Sequence, residues 1–345
     1  MNAAFRAGLA AVVTISLLSA CAEPPPPPPP PPPAPPPISL APKVIEQASA
    51  YRYYINRASA ISPTFVDGPG IAEALRTGAA YEPKQFLQGA IAYGAVVALQ
   101  DTAFVAGVKQ YVGTEEQRRT IAYEIMKDPA YVVGIQGSGS AAGLVVKALA
   151  DDGGKFYEAG KTVKQAAYDV QKQPWSKVEI AGRDLRLSQT KALSATPVVG
   201  DVAETARLQQ AALGGGSLGL TASPAAPPFT PVVIRSLSIA ALAILGYGGE
   251  SNVGTLDALM VEPNTTSCAN MAKLNLYQCL AVAKPYYEDV FCLGQHGMMD
   301  TARCVIKASG QPEPYEAKFV PQVRTNASYT VTPAKKPAKK PATKR

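Results

Sequence analysis

Four cysteines are the residues of this chain best placed for covalent chemistry, because they cluster near its C-terminal end. They lie within a 37-residue window: Cys268, Cys279, Cys292 and Cys304. An even number of clustered thiols forms disulfides if the chain folds in an oxidising compartment. The cluster therefore predicts two disulfides, provided that the chain is exported.

The spacing of these cysteines favours one pairing. The first two fall in one predicted helix and the last in another, and Pro285 breaks the chain between them. In an antiparallel helical hairpin the inner cysteines meet near the turn, which pairs Cys279 with Cys292. The outer cysteines meet at the open end, which pairs Cys268 with Cys304. The pairing of sequence neighbours stays open as the alternative.

Imidazole and metal chemistry have little support in this sequence. His296 is the single histidine, and it falls in a predicted loop beside the cysteine cluster. Cys292 and His296 form a Cys-x3-His pair, but no CxxC accompanies them, so no metal site is predicted. We interpret His296 as a turn residue rather than a catalyst.

Two further strings have the residue types of known catalytic or nucleotide-binding motifs. The string Ser188 to Lys191 reads S-x-x-K and resembles the nucleophile motif of penicillin-binding proteins and β-lactamases. Neither a following Lys-Thr-Gly nor an intervening Ser-Asp-Asn is present. The glycines of 137–143 are interpreted as close helix packing, because no βαβ pattern surrounds them. We therefore predict no catalytic residue and no cofactor.

The N-terminus has the layout of an export signal. Arg6 precedes an apolar stretch that is too short to span a bilayer, and this stretch ends in Leu18, Ser19, Ala20 and Cys21. These four residues resemble the lipobox of bacterial lipoproteins. The resemblance implies cleavage before Cys21, lipid attachment to its thiol, and a lipid bilayer as partner. Residues 1–20 would then be the signal peptide.

By the same resemblance, the residue after the cysteine bears on localisation. Ala22 stands there rather than an aspartate, which favours the outer membrane, with the protein facing the periplasm. Prolines fill 24–33 and 35–37, and a proline run can only form extended polyproline II. At about 3.1 Å per residue, this stretch is a semi-rigid rod of about 43 Å. Residues 21–40 are therefore predicted to be a spacer.

The positive charge of the mature chain is concentrated in its tail. The last eleven residues hold six basic and no acidic side chains: Lys335, Lys336, Lys339, Lys340, Lys344 and Arg345. Removing these and Arg6 from the 33 basic residues leaves 26, which equals the number of acidic residues. A neutral body does not fit a nucleic-acid-binding domain. Residues 321–345 are predicted to be a disordered tail that binds peptidoglycan or acidic envelope polymers.

The secondary-structure elements that position these residues are predicted to be helices. Helix-capping and helix-breaking residues are frequent, and alternation of apolar and polar residues is scarce. This pattern favours a mostly α fold, with helices over 44–60 and from Pro83 to about 112. Thr114 to Gln117 reads as a capping box, and Asp128-Pro129 stops the helix that follows. The string from Asp151 to Gly154 is interpreted as a helix end.

The composition divides the body in two. A Gly/Ser/Pro/Ala stretch at 214–230 is predicted to link a helical bundle domain at 41–213 to a small disulfide-bonded helical module at 231–320. A single larger bundle with a long loop is the alternative. The expected function is tethering or scaffolding at the cell envelope, with protein partners as a further expectation. The alternatives are a cell-wall-active enzyme or its regulator, and a helical periplasmic ligand-binding protein.

Overall fold

The computed structural model describes residues 37–316. Residues 1–36 and 317–345 lie outside the described residues, and with them the predicted lipobox, most of the proline spacer and the basic tail. Between 37 and 316 the chain forms α-helices and no β-strand, and its β-type pairing is an isolated bridge between Glu179 and Pro285. The predicted mostly α fold is confirmed.

Eight α-helices precede the predicted linker. They are α1 (Pro42–Ser59), α2 (Gly68–Ala79), α3 (Pro83–Ala98), α4 (Thr102–Lys109), α5 (Glu115–Lys127), α6 (Ser138–Val170), α7 (Arg183–Ser194) and α8 (Val202–Ala212). Five follow it, namely α9 (Pro231–Ile244), α10 (Val253–Leu259), α11 (Pro263–Val282), α12 (Tyr286–Cys292) and α13 (Asp300–Ser309). Short 3-10 turns lie at Pro129–Gly134, Pro174–Lys177 and Glu250–Asn252.

Helix starts follow the local sequence. The side chain of Thr114 accepts a hydrogen bond from the Gln117 N–H at 3.2 Å, as the predicted capping box requires. Asp67 caps α2 in the same way, by accepting from the Gly70 N–H at 2.8 Å. The predicted helix from Pro83 to about 112 is split, because Asp101 caps a new helix by accepting from the Phe104 N–H at 2.7 Å.

The predicted helix end at Asp151 to Gly154 is wrong, because α6 runs through it for 33 residues, about 50 Å. The two glycines have different surroundings. A Cβ on Gly153 would lie 2.7 Å from the Ile306 Cγ1 atom of α13, whereas a Cβ on Gly154 would meet nothing within 4 Å. Gly153 therefore serves close helix packing rather than termination.

Helix α3 lies at the centre of the hydrophobic core, buried along most of its length. It packs against α1, α6 and α9, and the Ser236 hydroxyl of α9 donates to the Ile91 carbonyl at 3.0 Å. Helices from both sides of the 214–230 stretch share this core. The stretch itself returns to α6, where the Ala225 N–H donates to the Gly139 carbonyl at 2.8 Å. This is the arrangement of a single larger bundle.

Both favoured disulfides are present. Cys279 pairs with Cys292 close to the turn at Pro285, with Cα atoms 5.6 Å apart. Cys268 pairs with Cys304 at the open end, with Cα atoms 5.7 Å apart. The antiparallel hairpin predicted from the cysteine spacing is confirmed.

The second arm of this hairpin is continuous. A π-helical segment, Leu293–Met299, joins α12 to α13 where the sequence predicted a loop. Gly294 lies against α6, since a Cβ there would be 2.4 Å from the Lys164 backbone nitrogen. The glycines of this segment indicated a turn, but they instead allow the helix to pack closely onto α6.

Candidate functional site

His296 lies within an ion cluster on the π-helical segment. Its Nδ1 atom is 2.8 Å from the Oδ2 atom of Asp300. The Oδ1 atom of Asp300 accepts from Gln295 at 3.0 Å and from Arg303 at 2.8 Å. Burial opposes ionisation of Asp300, but these hydrogen bonds and charges outweigh it and lower its pKa.

This cluster also holds the last described residues. Glu316 accepts from Arg303 at 2.8 Å and from Lys164 of α6 at 2.5 Å. The polar groups around His296 thus join α6, the π-helical segment and the end of the described chain. The arrangement is that of a structural ion network, in which the His296 ring pairs with Asp300 and the nearby Cys292 is held in a disulfide.

The S-x-x-K string does not form a reactive pair. Ser188 is exposed and its hydroxyl donates to the Leu185 carbonyl at 2.8 Å. Lys191 is exposed, with its Nζ atom 5.8 Å from the ring centre of Tyr277. Gly143 of the glycine-rich string packs against the backbone of Ser223, which agrees with the packing interpretation.

A different serine–lysine pair lies in the interior. The Lys273 amine donates to the Ala79 carbonyl at 2.5 Å and to the Ser194 hydroxyl at 3.0 Å, and it sits 3.5 Å from the ring centre of Tyr81. Burial lowers the pKa of Lys273 well below its usual value. Lys273 and Ser194 are each only 3 % exposed, so the pair has no path to a substrate and joins α2, α7 and α11.

Two buried ion pairs join other helices. Arg52 of α1 pairs with Asp152 of α6. Arg186 of α7 donates to Asp289 of α12 at 2.5 Å. Burial raises the pKa of Asp289 to about 6, and the charge of Arg186 opposes this shift. Both pairs fix the packing of helices.

An open cleft of about 550 Å³ lies on the outer surface of α6 and is lined by both polar and aromatic side chains. Helical spacing brings Thr162, Gln165 and Asp169 onto one face as its exposed rim. Ala166 and Val170, both buried, form its floor. One strip of a rigid helix thus supplies hydroxyl, amide and carboxylate groups above an apolar base.

Trp175, the single tryptophan of the chain, closes one side of this cleft. It belongs to the 3-10 turn after α6, which is fixed by the buried Ser176 hydroxyl donating to the Gln173 carbonyl at 3.0 Å. The indole is therefore held by a structured turn rather than by a long loop.

The loop between α1 and α2 forms another wall of the cleft through Pro63, Thr64, Phe65 and Val66. Phe65 is 8 % exposed and packs into the core, whereas Val66 is 71 % exposed. The loop also borders a neighbouring cavity of about 420 Å³ that extends to Arg57. Volumes of this size suit small organic ligands.

A second groove of about 440 Å³, also mostly apolar and called the apolar groove, lies beside the Cys279–Cys292 disulfide. Tyr168 and Phe291 line it with their rings 6.3 Å apart, edge to face. Gln171 is also part of the lining. The groove and the cleft thus use different faces of the same end of α6.

The structure gathers few of the sequence-predicted site residues at either surface. Two of the four paired cysteines line the apolar groove, and Cys21 and the basic tail lie outside the described residues. The Trp175 cleft was not predicted from the sequence. Its available signal was the single tryptophan following polar residues at helical spacing, but the wall from the α1–α2 loop comes from a distant part of the chain.

Comparison with known proteins gives no family or structural relative. No family model matches the chain, and neither a curated protein nor a solved structure matches it. Between residues 37 and 316, no cluster of three or more metal-ligating side chains is formed. Over the same range no single helix is both long and apolar enough to cross a membrane; α3 and α4 meet that test only together, with an 83° bend between them.

Proposed function

We propose that the chain is a lipid-anchored protein of the bacterial cell envelope with a structural or interaction role, as a tether or scaffold. Cys21 carries the lipid, at an outer membrane and on its periplasmic side, and the basic tail contacts anionic wall polymers. The helical body between these two attachment points presents clefts to its surroundings.

The observation that carries this proposal is the pairing of four cysteines as two disulfides. Disulfides of this kind persist in exported proteins and are rare in the reducing cytosol. They support the same compartment as the lipobox, although the two signals lie at opposite ends of the sequence.

The internal contacts of the reactive groups favour interaction over catalysis by a cell-wall-active enzyme. His296 is tied to Asp300, and the Ser194–Lys273 pair is buried. The open Trp175 cleft instead supports the ligand-binding alternative, because it combines an aromatic side chain with convergent polar groups.

Metabolic labelling with palmitate tests the anchor. We expect label on the wild-type chain and none on Cys21→Ser, with the variant released into the soluble periplasmic fraction. Label that persists on Cys21→Ser contradicts the anchor, provided that both proteins are exported to the same extent.

Binding to purified cell wall tests the tail. We expect salt-sensitive binding by the full chain and its loss when residues 333–345 are deleted, because six basic side chains leave with that segment. A matched variant with all six replaced by glutamine keeps the length and should also lose binding. Undiminished binding by either variant overturns the electrostatic role.

A further inference from the structure

The Trp175 cleft has the chemistry of a carbohydrate site. We propose that it binds a neutral oligosaccharide, such as a stretch of the glycan strands of the cell wall. This deepens the proposed function by naming the ligand of the body, and it rests on that function only for the compartment.

The polar rim sets the class of ligand. Gln165 and Gln173 offer amides that both donate and accept, and Thr64 offers a hydroxyl. The Thr162 hydroxyl donates to the Glu158 carbonyl at 2.9 Å, so its oxygen is left to accept from a ligand. Asp169 is the one ionisable side chain in the lining, and it lies 3.6 Å from Lys172 as an exposed ion pair. Such a rim matches a neutral ligand that is rich in hydroxyl and amide groups.

The apolar part of the cleft fits the same class. A sugar ring has a face of C–H groups and an edge of hydroxyls, so it needs an aromatic surface beside hydrogen-bonding groups. Trp175 supplies the large aromatic surface, with the buried Phe65 and Val170 behind the cleft wall and floor.

The dimensions favour several linked sugars over one. From Thr162 to Asp169 the rim follows α6 for seven residues, about 10 Å, and Gln173 and Trp175 continue beyond it. A single ring would occupy part of this length, whereas an oligosaccharide would contact rim groups on successive turns.

The lining argues against other envelope ligands. It contains no arginine or lysine to pair with a phosphate or a lipid headgroup, and its rim of amides would be poorly matched by an acyl chain. Proline-rich peptides also bind in grooves lined by tryptophan, so they are the competing ligand class. The experiment must therefore distinguish an oligosaccharide from such a peptide.

Trp175 makes the test direct, because tryptophan fluorescence of this chain reports on one position. The mature chain with Cys21→Ser is titrated with β-1,4-linked N-acetylglucosamine oligomers of increasing length, at high salt so that the tail does not contribute. We expect a saturable change in emission, and tighter binding by oligomers than by the monosaccharide.

Two glutamines provide matched variants, one on α6 and one directly after its last residue. Gln165 lines the cleft, whereas Gln171 lines the apolar groove on another face. Gln165→Ala should weaken binding roughly five- to tenfold through lost hydrogen bonds, and Gln171→Ala should leave it unchanged. Thermal unfolding of both variants confirms that the helix is intact.

Several outcomes overturn the proposal. They are an unchanged emission at millimolar oligosaccharide, an equal loss of binding in both glutamine variants, and an equal or stronger response to an oligoproline peptide. The oligosaccharide probe is soluble and uncharged, so its binding requires neither the lipid anchor nor the basic tail. The anchor and tail tests can fail while the cleft binds sugar, and the reverse also holds.

Discussion

At the scale of single residues, Asp289 shows how burial and pairing oppose each other. The residue is 2 % exposed, and Arg186 of α7 is the partner of its carboxylate. Burial outweighs the partner's charge, so the pKa of Asp289 rises to about 6. The ion pair therefore sets the geometry between α7 and α12 at an energetic cost near neutral pH.

This cost predicts a pH dependence of stability. Because the folded-state pKa of Asp289 lies above the unfolded value, the native state holds its proton more tightly between about pH 4 and pH 6. The Asp289 contribution to the free energy of unfolding therefore falls as the pH rises through 6. Asp289→Asn removes this titrating group. The free energy of unfolding of the variant, relative to that of the wild type, should therefore rise by up to about 3 kcal/mol from pH 4 to pH 7.

Urea unfolding of both proteins across this range measures the effect. The exposed Asp184→Asn serves as the control for loss of one carboxylate on a neighbouring helix. Parallel stability profiles for wild type and Asp289→Asn would show that the carboxylate of Asp289 is ionised at no net cost.

At the scale of elements, the contact between α6 and the second arm of the hairpin depends on small residues. Gly153 faces Ile306, and Gly160 faces Met298 with only 2.7 Å between a Cβ there and the methionine Cβ. Gly294 completes the contact from the other side. The helices approach more closely than larger side chains would allow.

Adjacent glycines on α6 test this packing. Gly153→Ala should lower the free energy of unfolding by about 1 to 2 kcal/mol, because the new methyl group crowds α13 more than the gain in helix propensity offsets. Gly154→Ala gains the propensity without the clash and should raise stability by about 0.5 to 1 kcal/mol. Denaturant midpoints of both variants decide, and equal effects would contradict close packing at Gly153.

At the scale of the whole molecule, two disulfides stabilise one core. In the entropy model, the Cys279–Cys292 bond contributes about 3 kcal/mol and the Cys268–Cys304 bond, which closes a longer loop, contributes about 4 kcal/mol. The difference follows from the number of residues each bond closes.

Paired serine variants test this order. Replacing both Cys268 and Cys304 by serine should lower the free energy of unfolding more than replacing Cys279 and Cys292, measured by urea unfolding without reductant. Reduced wild type should lie below both. The reverse order would show that native packing at the inner bond, rather than loop length, dominates.

Local rules predicted much of this fold, and long-range packing limited the rest. The helix cap at Thr114 and the pairing of the cysteines depend on residues only a few helical turns apart. Both could therefore be predicted from the sequence. The close helix packing at Gly153 and Gly294 depends on residues that are far away in the sequence. The Trp175 cleft was missed for the same reason, since one wall follows α1 and the rim belongs to α6.

Helix α1 runs from the N-terminal end of the described chain to the Trp175 cleft. It begins where the Ala41 N–H donates to the Gly248 carbonyl at 2.7 Å, and it ends at the loop that forms one wall of the Trp175 cleft. Its 18 residues span about 27 Å of hydrogen-bonded helix. If the chain is anchored at Cys21 as proposed, a pull on the anchor would reach the body at the start of this helix. Mechanical load and occupancy of the proposed sugar site would then act at opposite ends of the same helix.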